Sequence, residues 1–101
     1  MTNDRQPASD RLHSLEQQAM TPSEICMIVG KQLAKRRRDM GLTLAQVAAR
    51  CGVSLQQVFK YEVGQTPITV PMLVQLSRCL GVPASYFLDP VEQAAEEQGK
   101  E

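Results

Sequence analysis

Gln56, Gln57 and Lys60 stand out in this chain of 101 residues because three hydrogen-bonding side chains crowd into little more than one helical turn. A glutamine amide presents a donor and an acceptor side by side, and a lysine ammonium presents three donors and a positive charge. Ser54 and Leu55 stand immediately before them. Val58 and Tyr61, three residues apart, mark the opposite and apolar side of the same segment if it is helical. Such a set suits non-covalent recognition of a polar partner rather than the making of bonds. Groups for catalysis are scarce. The single histidine, His13, sits in a polar N-terminal stretch, no carboxylate pair shares a helical face in the centre of the chain, and no glycine-rich phosphate loop is present. The sequence therefore predicts no catalytic residues, no enzyme and no cofactor.

The segment that carries these groups, TLAQVAARCGVSLQQVFKYEVG over 43–64, reads as two short helices joined by a tight turn. Thr43 and Gln46 form a capping box at the start of the first, Leu44, Val47 and Ala48 recur at helical spacing, and Gly52 supplies a stop. Ser54 and Gln57 repeat the box pattern and open the second helix, which runs to about Val63 before Gly64. Only Val53 and Ser54 separate Gly52 from the second helix. That is too short for an antiparallel hairpin and suits the steep crossing of a helix-turn-helix.

The flanks supply what must hold this unit. Thr21-Pro22-Ser23-Glu24 is a helix start, with a threonine cap, proline at the first helical position and a glutamate to close the box. The helix it opens runs to about Met40, buries Ile25, Ile28, Val29 and Leu33, and ends at Gly41. A loop over 65–69 leads to a fourth helix with Pro71 in its first turn and Met72, Leu73, Leu76 and Leu80 as its buried stripe. Pro83 opens a short fifth helix through about Leu88, which the Asp89-Pro90 pair is expected to break. The domain division expected is a flexible polar arm over 1–20, a folded domain over 21–88 and an acidic tail over 89–101.

Composition sets the outer bounds. A 43% hydrophobic content in 101 residues supports one modest core. No run approaches eighteen apolar residues, and MTNDRQPASD has no hydrophobic signal segment, so a cytoplasmic protein without membrane contact is expected. Cys26, Cys51 and Cys79 form no C-x-x-C pair, which predicts reduced thiols packed as small hydrophobes and no metal site. Net charge is zero, but it is unevenly spread. Between 29 and 88 eight bases (Lys31, Lys35, Arg36, Arg37, Arg38, Arg50, Lys60, Arg78) face two acids (Asp39, Glu62), a local +6. The segments 1–28 and 89–101 carry −2 and −4. A basic centre between acidic ends is the footprint of a nucleic-acid binder.

Several spaced motifs then converge: R-x3-G-L-T over 37–43, Val47-Ala48, G-V-S over 52–54, K-Y-E-x-G over 60–64 and L-G-V-P over 80–83. Together they make the segment 29–88 resemble the helix-turn-helix domain of the phage Cro/repressor family, the XRE-type regulators. The resemblance implies an all-α, five-helix lambda-repressor-like fold that binds double-stranded DNA. It implies a structural ion pair between Arg37 and Glu62, and a recognition helix over 54–63 that enters the major groove from its N-terminal end. Thr43, Ser54, Leu55, Gln56, Gln57 and Lys60 are the DNA-binding residues expected on that basis. Glutamine suits adenine, lysine suits guanine or phosphate, and Thr43 suits a phosphate with its backbone N–H and hydroxyl. Arg36, Arg38, Gln65 and Thr66 are candidate phosphate contacts, with a merely solvated role open for the two arginines.

Three positions depart from the family pattern. Leu44 stands where relatives often carry a phosphate-binding glutamine, and the loop Gln65-Thr66-Pro67-Ile68 has no basic residue. Phe59 lies outside the apolar stripe, where it either faces thymine methyls beyond Leu55 or packs under the loop. Function follows as a sequence-specific transcriptional regulator, repressor-like and dimeric through Tyr86, Phe87 and Leu88, unless those three only cap the core. The alternative is a protein-interaction module such as the antitoxin of a toxin-antitoxin pair. No small-molecule ligand is expected.

Overall fold

The computed structural model describes residues 20–99. The N-terminal arm, apart from Met20, lies outside the described residues, as do His13 and residues 100–101. Five helices, and no strand among the described residues, make up the fold: α1 (Pro22–Asp39), α2 (Leu44–Cys51), α3 (Leu55–Glu62), α4 (Val70–Cys79) and α5 (Ser85–Gly99).

Each of the first four begins where a hydroxyl residue can cap it. Thr21, Thr43, Ser54 and Thr69 all hold extended backbone and accept a backbone N–H from three residues on. The apolar stripes behind these caps meet in one core, in which Leu33, Val47, Val58, Leu76, Leu80 and Phe87 are fully enclosed. Burial of each contributes about 1.5–3 kcal/mol relative to exposure. Of the cysteines, Cys51 is in this core while Cys26 and Cys79 are half-buried, all three as free thiols.

The expected break at Asp89-Pro90 does not occur, and α5 continues to Gly99. Pro90 has no N–H to give to the carbonyl four residues back, that of Tyr86. Gln32 of α1 supplies the missing donor, its Nε2 lying 3.0 Å from the Tyr86 oxygen. Beyond the proline, Val91, Ala94 and Ala95 are half-buried, and Gln98 reaches Glu24 near the start of α1. Contacts from Gln32–Tyr86 to Glu24–Gln98 run in opposite senses along the two helices, so α5 lies antiparallel on α1. Asp89, Glu92, Glu96 and Glu97, expected in an acidic tail beyond the fold, are therefore exposed residues of a packed helix.

The position of α3 is set by its approach to α1. Gly30, in the middle of α1, faces the backbone of α3, and a Cβ added there would come within 2.6 Å of the Glu62 carbonyl oxygen and closer still to that of Tyr61. Any side chain at this position would push the two helices apart. At the exit of α3, Gly64 takes φ +76° and passes 3.0 Å (counted from an added Cβ) from the Met27 backbone, so it meets both a conformational and a steric demand that only glycine satisfies.

Candidate nucleic-acid interface

α3 is anchored from one end. Arg37 of α1 grips Glu62 in a fork, Nε to Oε2 at 2.6 Å and Nη2 to Oε1 at 3.1 Å. Its Nη1 also donates to the Leu42 carbonyl at 3.0 Å, which ties the α1–α2 connection to the same point. The side chains of this pair are only 15% and 8% exposed. The hydrogen bond to Glu62 raises the Arg37 pKa above its ordinary value, while burial works against it. Removal of either partner would leave the other charge shielded and unpaired.

The first turn of α3 makes only part of the expected capping box. Ser54 Oγ accepts from the Gln57 N–H at 3.0 Å, but the Gln57 side chain does not return a bond to Ser54. Its amide, half-buried, has no hydrogen-bond partner among the described residues. Gln56 and Lys60 are exposed, one turn apart and opposite the buried Val58 and Tyr61, and they too lack partners among the described residues. Leu55 and Phe59 form a neighbouring exposed ridge, Phe59 being half exposed (49%) rather than buried beneath the following loop.

The start of α2 differs in what it leaves free. Thr43 N–H donates to Gln46 Oε1 at 2.8 Å, and the Thr43 hydroxyl accepts from Gln46 N–H at 3.1 Å. The backbone donor expected to meet a phosphate is therefore occupied. What remains at this helix end is the Thr43 hydroxyl proton and the N–H groups of Leu44 and Ala45, which have no intrahelical acceptor. Leu44 itself is packed against the core, which gives the departure from the family pattern a structural reason.

The candidate phosphate contacts divide in the same way. Arg36 donates from Nε to the Leu80 carbonyl at 2.9 Å and is partly buried, so it fastens α1 to the end of α4. Arg38 is exposed and has no acceptor among the described residues. In the loop after α3, the N–H groups of Gln65 and Thr66 both turn back to the Lys60 carbonyl, at 2.9 and 3.4 Å, leaving the side chains as their available groups. Both acids of the basic segment are occupied, Glu62 by Arg37 and Asp39 by Lys35 at 2.7 Å. The six other bases have no carboxylate partner among the described residues.

Of the three residues expected to join two copies, Phe87 is fully buried and belongs to the monomer core. Tyr86 packs edge-to-face on it at 5.3 Å between ring centres. Only Leu88 is exposed. Gly30 and Gln32, which position α3 and α5, carry no signal beyond a glycine and a glutamine inside a helical pattern. Their roles depend on partners more than thirty residues away and fifty-four residues away.

Residues 33–87 match the helix-turn-helix family HTH_3. An uncharacterized transcriptional regulator in the ATPase CF(0) region of Rhodospirillum rubrum is 37% identical over 65 residues, 64% of this chain and 60% of that protein. An uncharacterized HTH-type transcriptional regulator of Sinorhizobium fredii is 36% identical over 66 residues, 65% of this chain and 86% of that protein. The chain spans about half to three-fifths (49–60%) of the length of most curated relatives that it matches. The crystal structure of an HTH_3 family transcriptional regulator from Vibrio cholerae superposes with a TM-score of 0.67 at 26% identity, over 73% of this chain and 42% of that one. The chain belongs to the HTH_3 family of helix-turn-helix transcriptional regulators.

Proposed function

We propose that this chain binds DNA sequence-specifically as a repressor-like transcriptional regulator, reading the major groove with the helix over 54–63. The observation that carries the reading is the outer face of α3. Gln56 and Lys60 are exposed there without partners among the described residues, next to the free amide of Gln57, on a helix fixed by a shielded ion pair at its other end. Groups that the fold does not use are available to base edges. Arg38, the side chains of Gln65 and Thr66, and the start of α2 at Thr43 flank this face as phosphate contacts. Binding alone accounts for such a function, so the reading is of a regulator and not an enzyme. A regulator that acts on the chromosome works in the cytoplasm of a bacterial cell, and this chain is placed there in the same reading. Two copies occupy half-sites about one helical turn apart. Leu88 of α5 lines an apolar groove with Val70 and Ile25, and this exposed edge is the dimer contact in that reading.

The test is binding to a duplex selected from a random pool and to scrambled DNA, over a series of salt concentrations. Gln56→Ala or Gln57→Ala should cost about 1–3 kcal/mol on the selected duplex and relax the preference at one position. A phosphate contact such as Arg38→Ala should weaken all duplexes alike and flatten the salt slope by about 0.9. Lys60→Ala is assigned by which pattern it follows. If the three substitutions on α3 leave specific binding unchanged, the helix has been misassigned and the protein-interaction reading, of the antitoxin type, takes its place.

A further inference from the structure

The recognition helix carries two ridges, and only the polar one is accounted for by hydrogen bonding to bases. Leu55 and Phe59 stand one turn apart, 42% and 49% exposed, while Val58 and Tyr61 of the same helix are buried. Gln56 and Lys60 make the parallel ridge one residue further round. Neither Leu55 nor Phe59 belongs to the hydrophobic core or to the side chains packed against it. Large apolar groups left about half in water on both turns of an eight-residue helix are not accounted for by the core of the monomer.

We propose that Leu55 and Phe59 determine specificity by packing on thymine 5-methyl groups, beside the bases to which Gln56 and Lys60 hydrogen-bond. This rests on the reading of α3 as the helix that enters the major groove. In that groove an A·T pair offers adenine N7 and N6 next to the methyl of its thymine, the only apolar group on any base edge there. A hydrogen-bonding ridge flanked by an apolar ridge matches that edge in chemistry. Preference for thymine at one or two positions then comes from apolar contact and owes nothing to a hydrogen bond.

Deoxyuridine differs from thymidine only by the methyl group, so it isolates the contact. The full chain and its Phe59→Ala and Leu55→Ala variants are titrated against the selected duplex, against copies with each thymine in turn replaced by deoxyuridine, and against scrambled DNA, all at one salt concentration. The unaltered protein should lose about fourfold in affinity at one or two thymines. At those positions the loss should vanish in Phe59→Ala or Leu55→Ala, while both variants still bind the rest of the selected duplex and stay folded at the temperature of the titration. Equal binding to every deoxyuridine duplex, with the selected site still preferred over scrambled DNA, overturns the methyl contact and leaves the major-groove reading standing. A deoxyuridine loss that persists in both variants overturns the assignment to these two residues. Failure of the unaltered protein to prefer the selected duplex removes the major-groove reading itself and this inference with it.

Discussion

α2 and α3 are each eight residues long, follow a hydroxyl residue and carry glutamine at the third helical position. In both, the hydroxyl accepts the glutamine N–H, at 3.1 Å for Thr43 and 3.0 Å for Ser54. They part at the glutamine side chain. Gln46 folds back onto Thr43, whereas Gln57 does not fold back onto Ser54. α2 also buries Val47, Ala48 and Cys51, against only Val58 and Tyr61 in α3. α2 is fastened at its start and along its length; α3 is fastened at its end, through Glu62 and the close passage over Gly30. A helix held from its far end can leave amides unpaired at its near end without loss of the fold. The same local sequence pattern thus makes a closed cap in one place and, in the other, an open one of the kind that the proposed reading helix needs.

The largest effect should come from cutting the anchor of α3. With Glu62 only 8% exposed and Arg37 15%, Glu62→Ala leaves a shielded guanidinium without its carboxylate and should cost about 3–5 kcal/mol. Arg37→Ala should cost a similar amount, and the double mutant much less than the sum. Urea denaturation of the four proteins measures the coupling. Additive losses would mean that α3 is held by packing alone, and the contrast with α2 would lose its cause.

A smaller effect should separate the two caps. Thr43→Ala and Ser54→Ala should each cost about 1 kcal/mol, because each hydroxyl satisfies one N–H of a first turn. The glutamines should differ. Gln46→Ala loses a bond to the Thr43 N–H and should lower stability by about 0.5 kcal/mol, while Gln57→Ala should leave it unchanged within that margin. On selected DNA the order should reverse, with Gln57→Ala the weaker binder. Equal destabilisation by the two substitutions would show that Gln57 closes its box in solution and is not free for a base.

What the sequence made legible follows the same division between local and distant partners. Thr21, Thr43, Ser54 and Thr69 as helix starts, and the apolar stripes behind them, depend on residues within one or two turns, and the four helices appear where those signals put them. The resemblance to the Cro/repressor family pointed to Arg37 and Glu62, which the fold brings together. Missed were features whose cause lies across the molecule. Asp89-Pro90 reads as a stop until Gln32 supplies a donor to the Tyr86 carbonyl. Phe87 reads either as a contact between copies or as a cap on the core until α5 turns it inward. Arg36 reads either as a phosphate contact or as a solvated base, and its bond to the Leu80 carbonyl is neither. On the outer face of α3 the residue types were legible, but the freedom of Gln57 was not, because an open and a closed capping box have the same sequence.

The smallest effect concerns the third box, at the start of α1, where the closing residue can be titrated. Glu24 Oε1 accepts from Thr21 N–H at 2.8 Å, and this backbone hydrogen bond is the main cause that holds its carboxyl below the ordinary value of 4.5. Desolvation opposes the shift, and bonds from the Thr21 side chain and Gln98 add to it. Because the folded state prefers the carboxylate, the stabilisation is complete above the unfolded pKa and is lost as pH falls through the folded one. The box of α2 is closed by the amide of Gln46 and has no such dependence. Urea midpoints followed from neutral pH into the acid range should therefore fall less steeply for Glu24→Gln than for the unaltered protein. Gln46→Glu should make the fall steeper, by giving α2 the ionisable box that α1 has. Asp39, whose carboxyl is also lowered, in its case by Lys35, titrates in the same range but is common to all three proteins and cancels in the differences. Parallel curves for Glu24→Gln and the unaltered chain would show that the first turn of α1 does not depend on its carboxylate, and that a closed box contributes less to a helix start than the contrast between α2 and α3 requires.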